Sequence, residues 1–250
     1  MKLEDYATRY ETIRFARTDE GVLEMTLHTR GGEAQWGTSE RSLHRELGLA
    51  FADIARDPEN KVVLLTGTGA NFCVAVDREE RAPEPTMGAM WERIYEEGVA
   101  LIENLLAIPV PVIAAVNGPA LIHAEIAVLS DIVLCAAHTE FADAAHMPHA
   151  VPGDGVQAVW LMLLGPNRGR YFLLTNERIG AEEARRLGIV GEVLSADALL
   201  PRARDLAATL ARLPARQLRH TRRIMVRDLR RRLRDELELG LAVEALAMLN

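Results

Sequence analysis

The sequence predicts an α/β fold with a mostly parallel sheet and a helical C-terminal region. Three observations carry this. Short continuous apolar runs, Lys61 to Thr66 (KVVLLT), Val112 to Val116 (VIAAV) and Ile132 to Ala136 (IVLCA), have the composition of strands covered on both faces. Helical stripes alternate with them, which is the βαβ rhythm of parallel sheets. From Gly180 onward the pattern is of helices only.

Taken in order, Val22 to His28 (VLEMTLH) alternates apolar and polar residues and reads as a strand. Within Ser39 to Arg56, Leu43, Leu47, Phe51 and Ile54 form one helical stripe, which Pro58 and Asn60 end. The strand Lys61 to Thr66 is stopped by Gly67 and Gly69. Ala82 to Met90 (APEPTMGAM) has the composition of a loop, and Met90 to Ala107 reads as a helix with Ile94, Leu101 and Leu105 near one face. Pro109 and Pro111 lead into the strand at Val112, and the strand at Ile132 follows. Ala181 to Leu187, Leu199 to Leu213 and Ala215 to Met248 then read as helices. The expected plan is an α/β core over residues 1–197 and a helical part over residues 198–250.

The chain has 250 residues, 49% of them apolar, enough for a sizeable core. With 36 acids against 29 bases the net charge is −7, which argues against a polyanion as partner. Ten arginines crowd Arg212 to Arg234, but Asp228, Asp235, Glu236 and Glu238 accompany them. That pattern fits a solvated helical face or a subunit contact better than a nucleic-acid surface. Cys73 and Cys135 form no CxxC pair. Met1 to Arg14 carries six charges and no apolar run, and no stretch approaches the ~20 apolar residues of a membrane span. A cytoplasmic protein without membrane or nucleic-acid partners is expected.

Three places break the ordinary pattern. In Val116 to Asp131 a buried strand ends at Asn117-Gly118-Pro119, and His123 and Glu125 fall at the start of the helix expected next. Strand-to-helix junctions of this kind bind ligands, although a helix-start histidine and a capping glutamate would look the same. In Phe141 to Gly155 (FADAAHMPHAVPGDG), His146 and Asp154 lie eight positions apart, within reach of one another across a folded loop. A His–Asp pair makes a general base, because the carboxylate fixes the imidazole tautomer. His149 competes for that role, and an ordinary surface turn is the plain alternative. In the last helix the stripe Leu237, Leu241, Met248 is interrupted by Glu244, a carboxylate at a core-facing or edge position. No HExxH, GxSxG, GxGxxG or Walker pattern appears, so no metal and no nucleotide cofactor is expected.

Nearly the whole chain resembles the crotonase (enoyl-CoA hydratase/isomerase) superfamily. The likeness rests on VVLLTGTGANFCVAVD (62–77), PVIAAVNGPALIHAEIAVLSDIVLCA (111–136), VPGDG (151–155) and RIGAEEARRLGIVGEVL (178–194). It implies a spiral of ββα units with a helical C-terminal trimerisation region, in trimers or dimers of trimers. Typical members carry a glycine triplet where this chain has Ile122-His123-Ala124. Those glycines let backbone amides reach a thioester oxygen. Glu125 matches the first of the two hydratase glutamates, whereas the second falls at Ala145.

Within the superfamily the chain is most similar to the β-diketone hydrolases, of which 6-oxocamphor hydrolase is one. The shared stretches are NGPxxxHxEI at His123, FxDxxHxP at His146, VPGDG at Asp154, NRGRYFLLT (167–175) and LGLAxEAL at Glu244. Trp36 and His44 resemble that family's N-terminal active-site tryptophan and histidine, with an insertion over Gly37 to Leu43. The resemblance implies cofactor-independent retro-Claisen cleavage of a cyclic β-diketone. His146, Asp154, His123 and Glu244 would be catalytic, and Trp36, His44, Glu125 and Val76 would line the substrate. The loop between His146 and Asp154 is one residue shorter than in that family, so His149 remains a possible substitute. A CoA-dependent hydratase or isomerase using Glu125 is the rival reading.

Overall fold

The computed structural model of the chain describes residues 1–78, 86–147 and 150–248. α1 (Leu3–Tyr6) precedes β1 (Ile13–Arg17), β2 (Val22–Leu27), β3 (Gln35–Trp36), α2 (Leu43–Arg56), β4 (Val62–Gly67) and β5 (Ala75–Val76). α3 (Met87–Ala107), β6 (Val112–Val116), α4 (Glu125–Val128), β7 (Ile132–Ala136) and β8 (Glu140–Phe141) follow. The remainder is α5 (Val156–Leu164), α6 (Pro166–Thr175), β9 (Ile179–Gly180), α7 (Ala181–Arg186), β10 (Glu192–Leu194), α8 (Ala196–Ala211), α9 (Ala215–Met225) and α10 (Arg227–Ala247).

The main sheet runs β1-β2-β4-β6-β7-β10. Only its first pair is antiparallel; Val22 to Leu27 lie in parallel register beside Val62 to Gly67, and β4, β6, β7 and β10 continue in parallel. Alternate residues of these strands enter two separate cores. Leu23, Met25, Val63, Leu65, Ala114 and Val116 face the larger one, with α2, α3 and α5. Val62, Leu64, Ile113, Ala115, Leu134 and Ala136 face Leu199, Ala203, Ala207 and Ala211 of α8. Three alanines on that helix allow a close approach to the sheet. Burial on both faces is the reason the strands read as unbroken apolar runs. Part of the C-terminal helical region thus completes the core, with α8 on the sheet and α10 packed against α3 and α5.

Some boundaries differ from the sequence expectation. The third helix begins at Met87 rather than Met90, because the Thr86 hydroxyl accepts a hydrogen bond from the Ala89 amide at 3.1 Å and caps it. Residues 82–85 of the expected loop lie outside the described residues. The long stretch from Ala215 divides at Val226 into α9 and α10. The helix expected after Asn117-Gly118-Pro119 is one turn only, so a helix dipole cannot account for what His123 and Glu125 do. The junction is also locked. The Asn117 side chain accepts from the Gly67 amide and donates to the carbonyls of Gly69 and Asn71. A Cβ on Gly118 would sit 1.8 Å from the Ala70 carbonyl oxygen.

One arginine of the basic segment is structural. Arg222 on α9 is 1% exposed; its Nε donates to Asp131 at 2.6 Å and its other nitrogens donate to the carbonyls of Leu105, Leu106 and Ile108. It therefore satisfies the C-terminal carbonyls of α3. Asp131 also accepts from the Val112 amide at 2.7 Å, which ties α9 to the start of β6. Removing the guanidinium strands a buried carboxylate and three carbonyls. Arg222→Met is expected to lower unfolding stability by about 3–5 kcal/mol, read from denaturant midpoints, whereas Arg223→Met on the exposed face should change it by less than about 0.5 kcal/mol.

Candidate active site

Four segments converge beneath α10. The segment after β6 supplies His123 and Glu125. The turn after β8 supplies Asp143 and His146. The loop before α5 supplies Asp154, and α10 supplies Glu244. All but Asp154 are buried, and the Asp154 side chain is 13% exposed. His123 Nδ1 lies 2.7 Å from Glu125 Oε1 and 3.1 Å from Asp154 Oδ2. His146 Nδ1 lies 2.6 Å from Asp143 Oδ1, and its Nε2 faces Asp154 Oδ2 at 3.5 Å and Glu244 Oε1 at 3.8 Å. The two imidazole rings are 5.6 Å apart, and one Asp154 oxygen lies between them.

His123 has φ +50°, a left-handed conformation that L side chains rarely adopt. Its ring stacks on Trp36 at 3.8 Å with an interplanar angle of 24°. Trp36 in turn meets the His44 ring edge-on at 5.6 Å. His44 is anchored by Glu97 on α3, whose Oε2 is 3.1 Å from His44 Nδ1 and also accepts from Arg93. Val76 pairs with Trp36 across the β3–β5 ribbon but is 42% exposed, on the rim and not among the rings.

Burial opposes charge on both histidines, but the carboxylates outweigh it. Asp154 and Asp143 push His146 up to about 12, and Glu125 and Asp154 raise His123. Burial acts against ionised Asp154 as well, yet the two rings hold it well below the usual carboxylate range. Glu125 and Glu244 go the other way. Burial dominates for both; Glu125 is raised despite His123, and Glu244, with the Asp154 charge nearby, is pushed up to about 7. The two rings and the Asp154 carboxylate thus hold one another charged, while burial favours the protonated forms of the two glutamates. Burial also pushes the thiols of Cys73 and Cys135 up to about 12, which makes both poor nucleophiles.

Among the described residues, His123, Glu125 and Asp154 bring their ligand atoms within 4.8 Å of one another and could share a cation. Their 2.7 and 3.1 Å separations are those of a shared Nδ1 proton. One oxygen each of Glu125, Asp143, Asp154 and Glu244 is buried without a protein hydrogen-bond partner, so the cluster retains capacity for polar groups from outside.

The sequence reading gives His146 to Asp154 as its orienting partner. The structure puts Asp143 on Nδ1 instead and leaves Asp154 shared between both rings. The reason is local. Asp143 precedes His146 by three residues in one tight turn, whereas Asp154 arrives on a separate loop. Asp143 stands in the FxDxxHxP stretch, but a lone aspartate there carries no sign of its target. Glu97 was equally invisible, its one sequence trace being the i,i+4 spacing to Arg93. His149 lies outside the described residues.

The enoyl-CoA hydratase/isomerase family profile matches residues 17–245, so the chain belongs to the enoyl-CoA hydratase/isomerase family of the crotonase superfamily. A solved β-diketone hydrolase from the cyanobacterium Anabaena sp. PCC 7120, bound to (S)-3-oxocyclohexyl acetic acid, is 40% identical and covers 96% of this chain and 95% of its own, with a TM-score of 0.91. The 1,2-epoxyphenylacetyl-CoA isomerase of Escherichia coli K12 is 30% identical over 80% of this chain and 76% of its own length. Carnitinyl-CoA dehydratase of Citrobacter koseri is 33% identical over 80% and 74%.

Asp154 and Glu244 are set relative to one another by two glycines. A Cβ on Gly240 of α10 would lie 2.0 Å from the Gly153 carbonyl oxygen, and one on Gly153 would lie 2.2 Å from the Gly240 carbonyl oxygen. In an unobstructed helix, Gly→Ala stabilises by about 1 kcal/mol. Gly240→Ala is expected to reverse that sign, lowering the melting temperature and displacing Asp154 from the rings.

Proposed function

We propose that the chain is a cofactor-independent hydrolase of cyclic β-diketones, cleaving a carbon–carbon bond by a retro-Claisen reaction. The observation that carries this is the pair of buried imidazoles bridged by Asp154, with a histidine where the superfamily's glycines would offer amides to a thioester. The neighbour at 40% identity supports it: that protein is a β-diketone hydrolase, and its ligand is a keto acid, the product class such a cleavage yields.

His146 is the base in this reading. It passes its Nε2 proton to the Glu244 carboxylate, which makes the ring neutral, and then takes a proton from water. The hydroxide adds to one carbonyl of a non-enolisable 1,3-diketone. The tetrahedral intermediate collapses, and the bond to the carbon between the carbonyls breaks. The electron pair is held as an enolate, and the proton on His146 goes to the enolate carbon to give the keto acid. His123 has Nδ1 engaged by Glu125 and Asp154, so Nε2–H is presented to the enolate oxygen. Its stacking on Trp36 favours the cationic ring by about 0.5–2 kcal/mol. Base and oxyanion donor each contribute ~10²–10⁴-fold. The exposed stripe Leu239, Val243 and Leu246 on α10 supports self-association as a trimer or dimer of trimers.

The names of the sequence relatives favour a second reading, a CoA-thioester hydratase or isomerase using Glu125. Against it, Glu125 is engaged by His123 and the second glutamate position is Ala145.

Incubation with a panel of bicyclic 1,3-diketones and with crotonyl-CoA separates the two readings. Consumption of a diketone and no thermal stabilisation by acyl-CoA are expected; the converse result would overturn the hydrolase reading. His146→Ala and Asp154→Asn should each cut diketone turnover at least ~10²-fold, with both variants folded by circular dichroism. Glu244 accepts a proton only as a carboxylate and is pushed up to about 7, so activity should fall as pH drops through 7. Glu244→Gln should lose that acid limb together with most of the rate.

A further inference from the structure

We infer that Asp143 is the positioning residue of the site: it fixes the tautomer and ring orientation of His146, which leaves Asp154 to act between the two histidines. The inference rests on the hydrolase reading for its catalytic consequence but not for its geometry. Asp143 Oδ1 is 2.6 Å from His146 Nδ1, shorter than the 3.5 Å from Asp154 to Nε2. The Asp143 side chain is 3% exposed.

The backbone around Asp143 is pinned on both sides. The Ala142 amide donates to the Ala120 carbonyl at 3.2 Å and the Ala144 amide to the Leu121 carbonyl at 2.7 Å. Phe141 also bridges to Ala120. The segment carrying Asp143 is therefore fastened to the stretch after β6 that leads directly into His123, so the two rings are referenced to one piece of backbone. The loop that carries Asp154 is tied to His146 four residues before Asp154, where the Ala150 amide donates to the His146 carbonyl at 2.6 Å. It is held by the Gly153–Gly240 contact with α10.

The groups facing His146 are Asp143 on its own turn, Asp154 from the loop before α5, Glu244 from α10 and the His123 ring. Among the described residues, Asp143 is the one that addresses Nδ1. A carboxylate there keeps Nδ1–H as the donor and directs Nε2 toward Asp154 and Glu244, where water would be activated. An amide at 143 can offer Nδ2–H to Nδ1 and stabilise the opposite tautomer, in which Nε2 carries the proton and cannot accept one.

The test is nitrogen NMR of ¹⁵N-histidine-labelled full-length protein, with turnover measured beside it. In the native protein the His146 Nδ1 proton should appear far downfield, with cross-relaxation to the Asp143 β-protons. Asp143→Asn should abolish that signal, shift the His146 titration to lower pH and cut kcat by ~10²-fold or more while KM changes less than about threefold. Asp143→Glu should restore the Nδ1 signal in part. Asp154→Asn should leave the signal in place while removing turnover. A native Nδ1 proton that contacts the Asp154 β-protons, or a signal and pH profile unchanged in Asp143→Asn, would overturn the assignment. The NMR readout needs no substrate, so failure of the diketone reading and failure of this inference give separate results.

Discussion

The site depends on burying two imidazole rings among four carboxylates. An isolated carboxylate in such a place would take up a proton or unfold its surroundings. Here the rings of His123 and His146 hold Asp154 ionised between them, and the same carboxylate holds the rings cationic. Neither side of that arrangement survives alone. At the margins, burial raises Glu125 and Glu244 above the usual carboxylate range.

Much of the fold serves to bring those groups together. The parallel strands are buried on both faces, so they are rigid, and the segments leaving their ends are rigid where they are fastened to one another. Asn117 locks the exit from β6, Ala120 pairs with the strand after β7, and Arg222 ties α9 to the end of α3 and the start of β6. Two glycines let α10 descend onto the loop bearing Asp154, which is how a residue near the C-terminus comes within 3.8 Å of a histidine from the middle of the chain. The trimer proposed from the exposed face of α10 would use the opposite side of that same helix.

A histidine at position 123 has a backbone cost, visible in its positive φ. Strain of this kind amounts to about 1–3 kcal/mol and persists because Trp36, Glu125 and Asp154 all hold the ring. A main-chain amide offers one fixed hydrogen bond to an oxygen. An imidazolium offers a full charge and a proton that can move, which suits a leaving enolate better than a thioester carbonyl.

The sequence by itself determined the fold class and the strands at Val62, Val112 and Ile132, and it singled out His123, His146, Asp154 and Glu244 as candidates, because burial periodicity and unusual polar residues are local signals. It could not show which carboxylate meets which ring. The one-turn Asp143–His146 contact depends on a turn whose shape is imposed by pairing to Ala120 and Leu121. The sharing of Asp154 depends on the path of a loop held by a helix some ninety residues away. Those partners are distant in the chain, and only tertiary packing decides which of several nearby acids ends within hydrogen-bonding distance of a given nitrogen.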